Sequence, residues 1–524
     1  MLGHSVHPSL MYPDMASSNI VDAIAVVEAP SLPLLSSDLW AEILQCLPHA
    51  KYIGAATQAC RALRDAYQEH TATIMSAIFA LPRVQPYCES IGSPAGGSGR
   101  YQSAMEIRNG WQLGKASQGI VSFTSYVRCL KVDWESSCGA PMLFVGLFDG
   151  TVWSRYLEPT DEDGGPPRQL GAGCHADGQV LCIDVSGATV LSGSGEPSYN
   201  DEACAGATLR VVSLQRFPFQ VTHELGADDG GHTDSINDIL ITDGPVFEGQ
   251  AADEMRCAAV TAASDGMLIV WDVAAGRVMR RCSHGAAVTA LARVDDEFIL
   301  SCGVDGQVRE WRWRTGSQVR ELFLAPNLHK MKGEIIPLSS MSFHAPTCTL
   351  ALGNRAGQLS VWRVSPRNVR PEASIRCYPL TAWNYVGAAG REFDPSFFHT
   401  PGAKPGAEHE VATIQHDGDK IVCAARSGIF RVLWLGELPD EGMPFGVYTD
   451  GRAVQPISLI PFSMLLGASL PQAAEVPAAT VSPGIHTAVP VRRYVSTVAY
   501  RGHALVADGF DNQVLVLNLG YDDE

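Results

Sequence analysis

From about residue 111 onward, apolar residues come in short runs broken by turns of Gly, Asp, Asn and Ser. The stretch SDGMLIVWD, Ser264 to Asp272, sets an Asp-Gly pair before four apolar residues that lead into a tryptophan. That order predicts a hairpin turn feeding a strand, because Asp-Gly suits the positive φ angles of tight hairpins. About 40 residues later VDGQVREWR repeats the arrangement, with Asp305, Gly306 and Trp311 standing where Asp265, Gly266 and Trp271 stood. A period of about 40 residues indicates a repeat architecture.

Further copies of the turn are FDGTVWSRY at Asp149, GATLRVVS at Gly206, RAGQLSVWR at Ala356, RSGIFRVLW at Ser427 and FDNQVLVLN at Asp511, making seven in all. Each follows two short β-rich segments, so each unit offers three or four antiparallel strands. Such a unit cannot bury both faces alone and must stack on its neighbours. The expected fold is mainly β.

GHTDSI (Gly231 to Ile236) followed by VTAASDGMLIVWD resembles a WD repeat, and SHGAAV with LSCGVDGQVREW resembles a second. In both units a hydroxyl residue lies four before the turn aspartate and a tryptophan six after it. The resemblance implies a seven-bladed WD-repeat β-propeller over residues 111–524. It also implies a structural hydrogen-bonded set in each good blade: His232, Thr261, Asp265 and Trp271, then His284, Ser301, Asp305 and Trp311. The other five units are degenerate, and blade one places Trp153 four after Asp149. The strand 119–125 is expected to complete the blade formed by residues 495–518. Residues 365–410 and 435–492, rich in Pro, Gly and Ala, read as insertions.

The period changes near the N-terminus. In LLSSDLWAEILQCLP, Leu39, Trp40, Ile43, Leu44 and Leu47 form one apolar stripe at helical spacing, which Ser36 or Ser37 can cap and Pro48 stops. Such a stripe alone more often packs on its own domain than on a partner. Together Leu35, Asp38, the stripe, Pro48 and Cys60-Arg61 resemble an F-box. The module spans 31–70, after a flexible N-terminus at 1–30 and before a linking helix and Gly-rich tether at 71–110. Its order ahead of RNGWQLG (Arg108 to Gly114) and the repeats resembles the F-box/WD-repeat proteins. That family implies a Skp-family adaptor bound by Leu35, Asp38, Leu39, Trp40, Ile43, Leu44, Leu47, Pro48 and Cys60, a cullin beyond it, and a propeller that captures targets of an SCF ubiquitin ligase.

Composition narrows the alternatives. With 56 acidic against 38 basic residues the formal charge is −18, which disfavours a phosphate-dominated nucleic-acid surface and favours a basic or neutral protein partner. The 14 cysteines contain no C-x-x-C pair and read as buried thiols of a cytoplasmic or nuclear protein. His409 and His416 are seven apart, unlike a helical zinc pair, and no nucleophile elbow, phosphate loop or dinucleotide fingerprint occurs. A non-catalytic receptor is therefore expected, without cofactor, metal, nucleic acid or membrane. Arg355, beside the turn at Ala356, is a candidate for target binding. The alternative is a WD-repeat scaffold with no ligase link; an enzyme working in the central channel is the third reading.

Overall fold

The computed structural model describes residues 103–519 apart from 158–166, 196–206, 243–256, 323–329, 365–377, 383–409, 435–496 and shorter gaps, together with Ile74, Met75, Gln85 and Tyr87. The F-box-like stripe lies outside the described residues. Two compact units divide the chain, Met1–Met105 and Glu106–Glu524. The second unit carries the repeats.

Its strands form antiparallel sheets in chain order. The first strands of successive sheets are Val127–Asp133, Gln179–Ser186, Ile236–Thr242, Val288–Arg293, Leu338–His344, Val411–His416 and Val498–Arg501. Each packs beside the next, and the last returns to the first, so the sheets stand in a ring. Six complete four-stranded blades are described, not the seven expected; the sixth place in the ring holds a three-stranded sheet, Val411–His416, Lys420–Ala425 and Phe430–Trp434. Within 365–410, expected to be an insertion, Tyr378–Ala382 pairs with Ser360–Arg363 and is the fourth strand of blade five.

Burial explains why the repeat is written in short apolar runs. The second strands Ala258–Ala263, Phe298–Gly303 and Thr349–Asn354 are buried at every position, because neighbouring blades cover both of their faces. The outermost strand Gln220–Leu225 alternates toward solvent, and Arg277–Ser283 exposes Arg277, Arg280, Arg281 and Ser283. Between blades two and three, Leu191, Leu209, Val211, Ile236, Ile239, Ile269 and Trp271 share one core.

A bulge interrupts six of the seven first strands near its start, as between Val127 and Cys129 or Val411 and Thr413. A bulge frees backbone groups from the ladder, and side chains of the preceding blade reach carbonyls there. Cys129 Sγ donates to Val180 O, Cys182 Sγ to Ile236 O, Asn237 Nδ2 to Val288 O at 2.7 Å and Ser340 Oγ to Val411 O at 2.7 Å. In the other direction Asp184 Oδ2 accepts from Ile241 N and Asp238 Oδ2 from Leu291 N, each at 2.7 Å.

The ring closes where Ala116–Ser122 pairs antiparallel with Gln513–Leu519, Ile120 opposite Leu515. This is the expected closure, three residues earlier in the chain. Just ahead of it, Arg108 makes a two-pronged ion pair with Asp419, at 2.9 and 3.3 Å. Trp111 Nε1 donates to Gly502 O at 2.6 Å and meets Tyr500 edge-on at 5.4 Å between centroids. The Lys420 ammonium is fully buried 4.5 Å from the Trp111 ring centre and 4.7 Å from that of Tyr500, with Asp417 Oδ2 at 2.6 Å. A buried ammonium needs such partners. Burial pushes the Asp417 carboxyl up, but Lys420 outweighs it and the net shift is downward.

Trp111→Ala removes that cage wall and leaves the Gly502 carbonyl unmatched. Equilibrium denaturation of the variant should show a loss of about 3–5 kcal/mol, and a change below about 1 kcal/mol would mean that the segment does not anchor the ring.

Candidate functional site

Antiparallel order puts four features at one end of every blade: the start of the first strand, the end of the second, the start of the third and the end of the fourth. The turn aspartates and the histidines ahead of the first strands therefore share that end. In blade three, His232 Nδ1 lies 2.9 Å from Asp265 Oδ2 and Nε2 lies 2.7 Å from Thr261 Oγ1, which also accepts from Trp271 Nε1 at 2.8 Å. An indole only donates and a carboxylate only accepts, so Trp271 N–H donates to Thr261 and His232 Nδ1–H to Asp265, while the Thr261 hydroxyl faces both His232 Nε2 and the Ile269 carbonyl.

The turn explains the rest of the motif. Gly150, Gly266 and Gly306 have φ of 79°, 77° and 72°, whereas the preceding aspartates do not have positive φ. The aspartate works through its side chain, as Oδ1 accepts from the backbone N–H two residues on: Thr151 at 3.0 Å, Met267 at 2.9 Å and Gln307 at 3.1 Å. Its second oxygen in blade three is then available to the histidine. In blade four His284 Nδ1 meets Ser301 Oγ at 2.9 Å and Trp311 Nε1 donates to that oxygen at 2.8 Å. His284 Nε2 is 3.5 Å from Asp305, because the Arg309 guanidinium enters and lies 2.8 Å from Asp305 Oδ2 and 2.6 Å from Nε2. All eight residues expected to form two sets are thus brought together in two clusters.

The chain is similar to WD-repeat proteins. No family model matches it. It is 23% identical over 199 residues to the small ribosomal subunit protein RACK1y of Oryza sativa, covering 37% of this chain and 51% of that protein. It is 31% identical over 105 residues to the target of rapamycin complex subunit wat1 of Schizosaccharomyces pombe, covering 20% of this chain and 31% of the relative. A ribosome biogenesis protein, ytm1 of Aspergillus oryzae, is 26% identical over 124 residues, 21% of this chain and 25% of that protein. The chain thus spans about half or less of the length of these relatives. Among solved structures, U3-55K matches at 15% identity and a TM-score of 0.46, over 77% of this chain and 98% of the other. The RRP9 WD40 repeats match at 15% and 0.47, over 77% and 100%.

The WD repeat of blade two holds a network that the repeat motif does not announce. His175 is buried, with Nδ1 2.7 Å from Thr208 Oγ1 and Nε2 2.8 Å from Ser192 Oγ. Thr208 takes the part played by aspartate elsewhere. Two signals could have revealed it: the histidine stands four residues before the first strand, as do His232 and His284, and 17 before its hydroxyl partner, as His284 does. Burial, aided by Arg210, lowers the His175 pKa to about 3, so its ring is neutral. In blade one Phe123 stands at the histidine position, and Trp153 Nε1 donates to Thr151 Oγ1 at 2.9 Å within the turn. Trp362 of blade five is fully buried, with Leu352 where a hydroxyl stands in the better repeats.

Arg355 projects at the same end of blade five, with its Nε 4.0 Å from a Glu410 carboxylate oxygen. The described cysteines are free thiols, and burial holds Cys302 and Cys423 up at about 12 and Cys282 at about 11. Such thiols stay protonated and unreactive. His416 ends the strand Val411–His416, and His409 lies outside the described residues. Among the described residues no group of three or more His, Cys, Asp and Glu side chains is placed to hold a metal ion.

Thr261→Val strands the indole N–H of Trp271 and Nε2 of His232, both buried. A loss of about 3 kcal/mol in equilibrium unfolding is expected; an unchanged midpoint would show that the relay is not holding the blade. The Asp305 carboxyl is pushed up by burial, but its neighbours His284 and Arg309 win and hold it at about 2, below the ordinary 3.8. A depressed carboxyl stabilises the fold above its unfolded value, and that contribution fades as pH falls from 3.8 toward 2. Asp305→Asn should therefore lower Tm at about pH 7 more than at about pH 3, measured at constant salt.

Proposed function

We propose that this chain is a non-catalytic WD-repeat scaffold, a rigid platform on which other proteins assemble, with the three-stranded sheet 411–434 counted as its seventh blade. The observation that carries this reading is the use made of the polar side chains at the tetrad end. His175, His232 and His284 each have both ring nitrogens engaged within their own blade. These three rings are also buried, out of reach of a substrate, and the propeller is left as a shaped surface on stiff supports. The names of the curated relatives, a ribosomal subunit protein, a complex subunit and a ribosome biogenesis protein, fit a part in larger assemblies.

A second reading, receptor of an SCF-type ligase, rests on the helical stripe Leu39, Trp40, Ile43, Leu44 and Leu47, whose spacing suits a helix laid in an apolar groove. Two measurements on the full-length protein separate these readings. In native extracts a scaffold should sediment in assemblies well above its own 56.2 kDa, and recovery only as free monomer would overturn that proposal. Co-purification with a Skp-family adaptor, lost on Leu39→Glu with Trp40→Ala, would carry the ligase reading; a folded wild-type protein that binds no adaptor would end it.

A further inference from the structure

The tetrad end of blade one differs from that of blades two to four. Tyr126, immediately before the first strand, and Phe148, immediately after the second, are 50% and 52% exposed. Their rings meet edge to face at 6.3 Å, and their backbones are joined by a hydrogen bond from Phe148 N to Tyr126 O at 2.8 Å. Two half-exposed aromatics held as a pair leave ring surface in water, which is the usual mark of a binding surface when polar groups rim it.

Charge decides what fits there. Beside the pair is the exposed Asp149, its Oδ1 tied to Thr151 N and Oγ1. Farther along the same end, the loop into blade three carries Asp228, Asp229 and Asp234. The basic residues of that end are already engaged, Arg309 with Asp305 and Glu321, Arg210 with Glu224 and Arg355 facing Glu410, while Arg128 stands in the first strand two residues after Tyr126. Arg281 also reaches this loop, where it donates to the Gly230 carbonyl. Exposed ring faces with carboxylates around them attract cations, and a guanidinium or ammonium over an aromatic face gains further once partly desolvated.

We infer that the Tyr126–Phe148 pair docks a basic segment of a partner protein, with an arginine or lysine stacked on the rings and its neighbours along the acidic rim. This deepens the scaffold reading and rests on it. The opposite face of blade two offers the comparison: Phe217 is 68% exposed, but Arg168 of the chain itself already lies 5.6 Å from its ring centre.

The test titrates the full-length protein with two fluorescent peptides of equal length and spacing, one carrying four arginines and the other four glutamates, followed by anisotropy. The arginine peptide should bind and the glutamate peptide should not. Tyr126→Ala with Phe148→Ala leaves the net charge unchanged, and it should weaken arginine-peptide binding about tenfold, while Phe217→Ala should leave it intact. Equal binding by the double variant, at an unchanged Tm, would overturn the proposal, because attraction to the chain's net negative charge alone would then account for it. Binding lost equally in Phe217→Ala would also overturn it. Sedimentation of the double variant keeps the two ideas apart: assemblies that persist with peptide binding unchanged leave a scaffold without this site, whereas a wild-type chain found only as monomer removes the scaffold itself.

Discussion

The propeller depends on one pairing, that of Ala116–Ser122 with Gln513–Leu519. Without it the last blade would keep only three strands, and blade one would lose the apolar cover supplied by the entering strand. Val121 and Phe123 of the entering strand share a core with Val127, Leu130, Leu143, Val506 and Val514. Closing so long a loop costs little more than closing a shorter one, since the entropy grows only with the logarithm of length. The strand is also gripped at both ends. Arg108 and Trp111 hold the chain before it, and Phe123 and Asn512 exchange hydrogen bonds at its exit. A ring leaves only outer edges to protect, and the solvent-facing charges of Arg277–Ser283 suit such an edge.

Closure requires that adjacent blades fit, and the bulges show how polar backbone survives between packed sheets. Four of the six bulges, at Val180, Ile236, Val288 and Val411, turn a carbonyl toward the preceding blade, where Cys129, Cys182, Asn237 or Ser340 supplies a donor. A thiol suits this place because it donates weakly while filling apolar volume. Two of the cysteines that look scattered in sequence are therefore equivalent positions in successive blades. The same inner strands carry Asp184 and Asp238, which take backbone N–H groups of the following blade. Burial raises Asp238 to about 6, with Leu291 N and Ile239 N opposing that rise.

What could be read from sequence was what short range fixes. In blade three the hydroxyl and the tryptophan keep constant offsets from the aspartate because the hairpin register pairs Thr261 with Ile269 and Ala259 with Trp271. His175 was not legible from the turn motif, because Thr208 replaces the aspartate, and only its offsets from the first strand and from Ser192 mark it. Tyr378–Ala382 was not legible either: it is short and holds Pro379, a residue tolerated in an outermost strand that need not donate on its free side. The Lys420 cage joins residues hundreds of positions apart, and no local pattern announces a cation–π contact across that distance. The F-box-like stripe, by contrast, is legible as a helical period but falls outside the described residues.

The degenerate blades then have a physical reading. A complete tetrad commits the turn and the residues before the first strand to a buried relay, so those positions cannot vary without leaving a histidine or an indole unmatched. Blade one escapes this constraint. Phe123 at the histidine position asks for no hydrogen bond, and Trp153 is satisfied by Thr151 inside its own turn. Its attachment to blade two runs instead through Cys129 and a shared core of Phe144, Val180 and Ile183. Stability is thereby moved from the turn to the inner strands, and the turn is left to carry Tyr126 and Phe148 into solvent. Loss of the repeat signature in this blade is the condition under which its end can acquire a surface of its own.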